Sequence, residues 1–136
     1  MFSQRTLVSQ TITTALTASV LGESAGLYGM KSLSVEANLT YGADGTTIKV
    51  WIQTSLDGGS NWIDIMNFAF TTASGRKVST VKIAAGATAV VPTDGTSGDN
   101  GIVDGILGDR IRAKVTTTGT YSGSTTLEVN AVPKGA

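Results

Sequence analysis

From Ser32 to Tyr41 the chain alternates apolar and polar side chains without a break, and this period of two decides what it can fold into. Leu33, Val35, Ala37, Leu39 and Tyr41 fall on one side of an extended backbone, with Ser32, Ser34, Glu36, Asn38 and Thr40 on the other. A helix would scatter these two sets around its circumference, whereas a strand gathers each onto its own face. The pattern predicts a strand of a sheet with one buried and one wet face.

The same signal recurs. Thr47 to Ser55 places Ile48, Val50 and Ile52 opposite Lys49, Trp51 and Gln53. Trp62 to Phe70 puts Trp62, Met66, Phe68 and Phe70 on one face but Ile63, Ile65 and Ala69 on the other, so both faces need cover. Lys77 to Ala84 alternates more weakly. Arg110 to Thr117 sends Ile111, Ala113 and Val115 inward, and Thr125 to Val132 does the same with Leu127, Val129 and Ala131. Gly-rich turns separate these runs, among them Gly42–Gly45 and Thr118–Ser124. Thr11 to Leu21 is Thr- and Val-rich and predicts a strand or an extended arm. No internal repeat is visible. Six or seven such strands and no amphipathic helix predict an all-β fold: an antiparallel β-sandwich, jelly-roll-like, with an extended N-terminal arm.

Length makes this one domain, 1–136, in which 1–30 forms the arm and first strand and 31–136 the core. The doubly apolar strand at Trp62–Phe70 then needs the arm or a neighbouring subunit to cover its second face, which predicts an oligomer. Between Ala85 and Gly108 the chain is rich in Gly, Asp, Thr and Ala. A loop of that length in a compact domain reads as functional or as an assembly element.

The chain has 0 Cys and 0 His, which removes disulfides, thiolate metal sites, the usual general base and the His-dependent nucleophile systems. The S-x-x-K spacing occurs only as Ser74–Lys77 and Ser79–Lys82, with no S-D-N or K-T-G beside it, and nothing in the spacing brings together two of the carboxylates Glu23, Glu36, Asp64 and Glu128. The expectation is a non-enzyme with no catalytic residue and no cofactor. Ten basic and ten acidic residues cancel, leaving no net field for nucleic acid or an anionic membrane. The first twenty residues hold no apolar h-region, and the expectation is assembly in the cytoplasm.

Four groups of residues remain as candidates. The stretch SLDGGSNW fits S-x-D-x-G-x-x-W and resembles the Asp-box hairpin of sialidases and other β-propellers. Its chemistry is that of a turn: Asp57 accepts from backbone N–H groups, Gly58 and Gly59 supply positive φ, and Trp62 folds back. Ser55, Asp57, Gly59 and Trp62 are therefore expected to form a structural hairpin. Asp94, Asp99 and Asp104, with Asp109 and Asn100, offer hard oxygen ligands for calcium, but their spacing matches no D-x-[DN]-x-[DN]-G loop. Arg110, Arg112 and Lys114 form a basic stripe on one strand face, suited to solvent, to Glu128 across the sheet, or to an acidic partner. Trp51 and Tyr121 are the aromatic platforms that a carbohydrate-binding module would use.

Three segments carry a wider resemblance: MFSQRTLVSQTIT, VWIQTSLDGGSNWIDIMNFAFTTAS and GILGDRIRAKVTTTGTYSGSTTLEVNA. Together they resemble small β-rich virion proteins of tailed bacteriophages, in which an Asp-box-like hairpin leads into an apolar strand and an L-G-D-R-[IV]-R strand follows. The resemblance implies a structural part of the virion. It points first to a capsid decoration (cement) protein that binds the major capsid protein and stabilises the assembled head. Neck, head-fibre and tail or baseplate accessories are the alternatives. It also implies a homotrimer at points of local three-fold symmetry. On that reading Met1–Leu16 is the docking arm, with Leu7, Ile12 and Leu16 setting register against a neighbour, and Trp51, Arg110, Arg112 and Lys114 are further contacts.

Overall fold

The computed structural model describes residues 3–84 and 89–135. All regular structure in them is strand: β1 (Arg5–Thr11), β2 (Ser19–Ser24), β3 (Ser32–Thr40), β4 (Ala43–Asp44), β5 (Thr47–Thr54), β6 (Ile63–Phe70), β7 (Gly75–Lys82), β8 (Ile111–Thr118), β9 (Tyr121–Ser122) and β10 (Thr126–Lys134). The first sheet runs β1-β10-β3-β7 and the second β2-β8-β5-β6; β4 and β9 form a small ribbon. The ladders between these strands are all antiparallel. The expected all-β, antiparallel sandwich is the fold observed.

The period of two explains the core. Leu33, Val35, Ala37 and Leu39 of β3 are buried, while Ser32, Ser34, Glu36 and Asn38 between them are half-exposed. Ile111, Ala113 and Val115 of β8 do the same for the second sheet, and Leu127, Val129 and Ala131 of β10 for the first. These side chains join one apolar cluster with Ile48, Val50 and Ile52 of β5 and Met66, Phe68 and Phe70 of β6. Burying each large aliphatic side chain contributes about 1.5–3 kcal/mol, so the facing sheets supply the main driving force.

The N-terminal segment departs from expectation. Residues 5–11 are a strand of the chain's own first sheet, paired with β10 from Arg5 opposite Ala131 to Thr11 opposite Thr126. Leu7, Val8 and Ile12 are buried in the core, and Leu16 packs against it. Leu7, Ile12 and Leu16 are therefore committed to this chain's interior, which corrects their assignment as contacts on a free arm. The close approach of β2 to β1 depends on Gly22: a Cβ there would lie 1.7 Å from the Leu7 carbonyl oxygen. Residues 1 and 2 of the proposed arm lie outside the described residues.

β6 departs as well. Ile52 opposes Met66 and Gln53 opposes Asp64, so Ile65 is an extra residue, a β-bulge. The bulge turns Ile65 and Met66 both into the core, while Trp62 lies outside the core cluster. Strict alternation, which grouped Trp62 with Met66, misses this phase change. The outer side and free edge of β6 are covered by the long loop. Thr93 O accepts from Asp64 N at 2.9 Å, Gly101 O accepts from Asn67 N at 3.0 Å, and Val103 N donates to Ile65 O at 2.9 Å. Both faces of the strand are thus covered within one chain, and its apolar character no longer argues for an oligomer. The part of the loop at 85–88 lies outside the described residues.

Candidate functional site

The hairpin between β5 and β6 has the geometry expected of a structural corner. Ser55 Oγ accepts from Gly59 N at 2.9 Å, and Asp57 accepts from Asn61 N at 2.8 Å and Asn61 Nδ2 at 2.7 Å. Trp62 Nε1 donates back to Gly59 O at 3.1 Å. Gly58 and Gly59 have φ of 75° and 96°, which the glycines adopt without Cβ strain. The hydrogen bonds from the Asn61 side chain, from its backbone N–H and from Ser55 hold the Asp57 carboxyl well down, at about 2.

Because the folded value lies below the ordinary 3.8, the contribution of Asp57 is complete above pH 3.8 and is lost as pH falls toward 2. Asp57→Asn should have a lower Tm at pH 7 and a flatter fall in Tm across that window than the parent chain. Parallel acid profiles for the two proteins in a calorimetric series would show that the carboxylate is not held by these donors.

The long loop brings the largest set of polar side chains together. From Thr93 to Asp104 it lies as a strap over the outer face of the second sheet. Its anchor is Asp64, 1 % exposed, on β6. That carboxylate accepts from Thr93 Oγ1 at 2.8 Å, from the N–H groups of Gly95, Thr96 and Ser97, and from Gln53 Nε2 at 2.8 Å. Gln53, also fully buried, donates to Asp94 at 2.6 Å and accepts from Arg112 Nε at 2.6 Å. Asp94 further meets Lys114 Nζ and, at 3.7 Å, Arg112. Burial raises the Asp94 carboxyl, but Lys114, Gln53 and Arg112 outweigh it and leave the value lowered.

These contacts reassign most of the sequence candidates. Arg112 and Lys114 are the strap's cationic partners, and Arg112 stacks over the Trp62 ring at 4.2 Å. The basic stripe is thus covered, not presented to a partner. Arg110 instead pairs with its neighbour Asp109 at 3.2 Å. Glu128 lies in the other sheet, on β10, so it cannot face the stripe. Trp51 is 5 % exposed and donates its indole N–H to Ser97 O at 3.0 Å; Tyr121 is 1 % exposed and donates to Thr71 O. Neither serves as a stacking platform, which removes the residues on which the carbohydrate-binding reading stood.

The calcium candidates are not brought together. Asp94 binds Lys114, Asp99 pairs with Lys49 at 3.1 Å, and Asp104 accepts from the N–H groups of Lys82 and Gly105. Among the described residues no three acidic side chains gather as a metal site. Glu36 and Glu128 are also partnered. Register places Glu36 on β3 diagonal to Glu128 on β10, since Asn38 opposes Glu128 and Asn130 opposes Glu36. Glu36 binds Arg76 and Asn38, whose hydrogen bonds lower its value, and Glu128 accepts from Asn130 at 2.8 Å. These asparagines separate the two carboxylates chemically.

Sequence reasoning did not single out Asp64 as an anchor. The available signal was a lone carboxylate inside an otherwise apolar strand, which must have donors in the fold. No helix among the described residues is long and apolar enough to cross a membrane. No protein-family model matches the chain, and no curated protein matches it.

Proposed function

We propose that the chain is a non-enzymatic structural protein of a tailed-bacteriophage virion, a capsid decoration protein that binds and stabilises the assembled head. The carrying observation is the asymmetry of the sandwich. The outer face of the second sheet is roofed by the strap, whereas that of the first sheet is open. The open face carries Ser34, Glu36, Asn38, Thr80 and Asn130, with Val78 and Val132 67 % and 37 % exposed among them. A largely polar surface, with exposed valines at its centre and both signs of charge around them (Glu36 with Arg76, Glu128, Lys82 and Lys134), suits a fixed protein neighbour.

Strand order supports a jelly-roll reading of the sandwich. Counting the eight long strands, the sheets run first-eighth-third-sixth and second-seventh-fourth-fifth, and eight strands in two sheets are the architecture used by capsid proteins and lectins. The engagement of Asp64, Asp94, Arg112 and Lys114 with one another supports a structural role for them. The resemblance to small phage virion proteins supplies the particle, the major capsid protein as partner and the homotrimer. The trimer now rests on that resemblance alone. Docking moves from the arm to the open face.

Full-length chain should co-sediment with purified heads of the parent phage and raise their thermal stability, since a ligand of the assembled lattice acts by mass action. Val78→Glu with Val132→Glu should weaken binding by roughly tenfold or more, as two charges enter a desolvated contact. Unchanged binding by that double variant removes the open face as the docking surface. Binding to isolated tails or necks, with none to heads, replaces the decoration reading with that of an accessory protein.

A further inference from the structure

The strap from Thr93 to Asp104 differs from the rest of the domain in what holds it. The long strands and β9 are fixed by apolar side chains in or against the core, but the strap contributes no fully buried residue and its Ile102 is 50 % exposed. Its attachments are hydrogen bonds and ion pairs: to Asp64 on β6, to Lys49, Trp51 and Gln53 on β5, and to Arg112 and Lys114 on β8. One attachment is imperfect, because Asn67 Nδ2 is buried with no hydrogen-bond partner among the described residues. Opening to water would satisfy that donor and the strap's own N–H groups together. A segment with few buried apolar contacts and solvent-reachable hydrogen bonds belongs to the low-stability end of a domain.

We propose that the strap is a separately opening cover, which lifts from the outer face of the second sheet while the sandwich stays folded. Lifting exposes the indole edge of Trp51, the Gln53 amide and the Arg112 and Lys114 cations as one surface. The aromatic and cationic side chains are thereby reachable by solvent only in the open state. The proposal is independent of the virion reading.

Acid favours the open state. The charged groups facing the strap are Asp64 from β6, Lys49 from β5, Arg112 and Lys114 from β8, and Lys77 from β7, which reaches Asn100. The strap brings Asp94, Asp99 and Asp104; Glu23 of β2 lies opposite Arg112 in the ladder. The lowered Asp94 carboxyl contributes fully above its ordinary 3.8, and the contribution is lost as pH falls below that value. Protonation there leaves Arg112 and Lys114 facing each other without their shared anion.

Native-state hydrogen exchange of the full chain tests this directly. The amides of Gly95, Thr96 and Ser97, the edge amides of Asp64 and Asn67, and the Trp51 indole N–H should share one opening. Their protection should be roughly 100-fold or more below that of the Trp51 and Val115 backbone amides. Asp94→Asn, at a half-exposed position, should lower strap protection a further two- to fivefold or so and leave the β5 and β8 amides unchanged. Moving from pH 7 to pH 3 should act in the same direction. If the strap amides and the indole instead exchange only with the β5 and β8 amides, in parent and variant alike, the strap is part of the global unit and the proposal is wrong.

Discussion

A chain lacking residues 1–16 should fail to fold. Read as a free arm, this segment looked removable, but Leu7, Val8 and Ile12 are all buried in the common core. Losing it strips the β1–β10 ladder, so β10, whose Leu127, Val129 and Ala131 line the interior, becomes an unprotected edge. Removing a large buried aliphatic side chain costs about 2–5 kcal/mol. Three such losses, with a whole strand's hydrogen bonds, exceed the roughly 5–15 kcal/mol by which a domain is stable. Far-ultraviolet circular dichroism and an amide NMR spectrum of the truncated chain should both report an unfolded state. Gln10→Ala, at an exposed position of the same strand, should melt within about 0.5 kcal/mol of the parent. A cooperative melt from the truncated chain would return the segment to the status of an arm and reopen it as the docking element.

How far the sequence was readable depended on the range of the interactions involved. β3, β8 and β10 were legible because one buried face imposes a period of two on consecutive residues, and nothing distant is needed to see it. The hairpin was legible because every bond of Ser55, Asp57, Gly59 and Trp62 closes within the quoted stretch. β6 was misread because a single bulged residue, Ile65, shifts the phase without leaving a mark in composition. The basic stripe was placed on the correct strand and face, but its cover was not visible. Asp94 reaches Lys114 from 20 positions away and Gly95 reaches Asp64 from 31. No local pattern encodes contacts of that range. The aspartates that suggested calcium are held singly by cations and N–H groups, while the loop's own Gly95, Thr96 and Ser97 give main-chain N–H donors to Asp64, which inverts the electrostatic role assigned to the loop. Leu7 and Ile12 illustrate the same limit: an apolar residue in a terminal strand has one pattern whether its partner is its own chain or another.

Asp64→Ala should be the most damaging single substitution of a polar side chain among the described residues, costing about 2–4 kcal/mol. The carboxylate is almost fully buried and accepts from Thr93, Gly95, Thr96, Ser97 and Gln53. Deleting it leaves five donors around an apolar methyl group, and each must lose its bond or move to water. The strap is otherwise exposed, so its donors escape the full penalty by lifting away, which limits the loss to the free energy of closing the strap. Gln53 stays in the middle of the second sheet, bound to Arg112, and lifting opens its amide to water. Asp64→Asn should recover less than half of the loss. It keeps one acceptor oxygen but turns the other position into an N–H group that faces the donors of Gly95 and Ser97. Urea denaturation distinguishes where the energy goes. A lower midpoint with a smaller m-value means the strap is already open in the folded variant, because less surface remains to be exposed. A lower midpoint with an unchanged m-value means it stays closed over unsatisfied donors. A midpoint for Asp64→Ala equal to that of the parent would mean that Asp64 does not anchor the strap, and the network drawn from Gln53 to Lys114 would lose its centre.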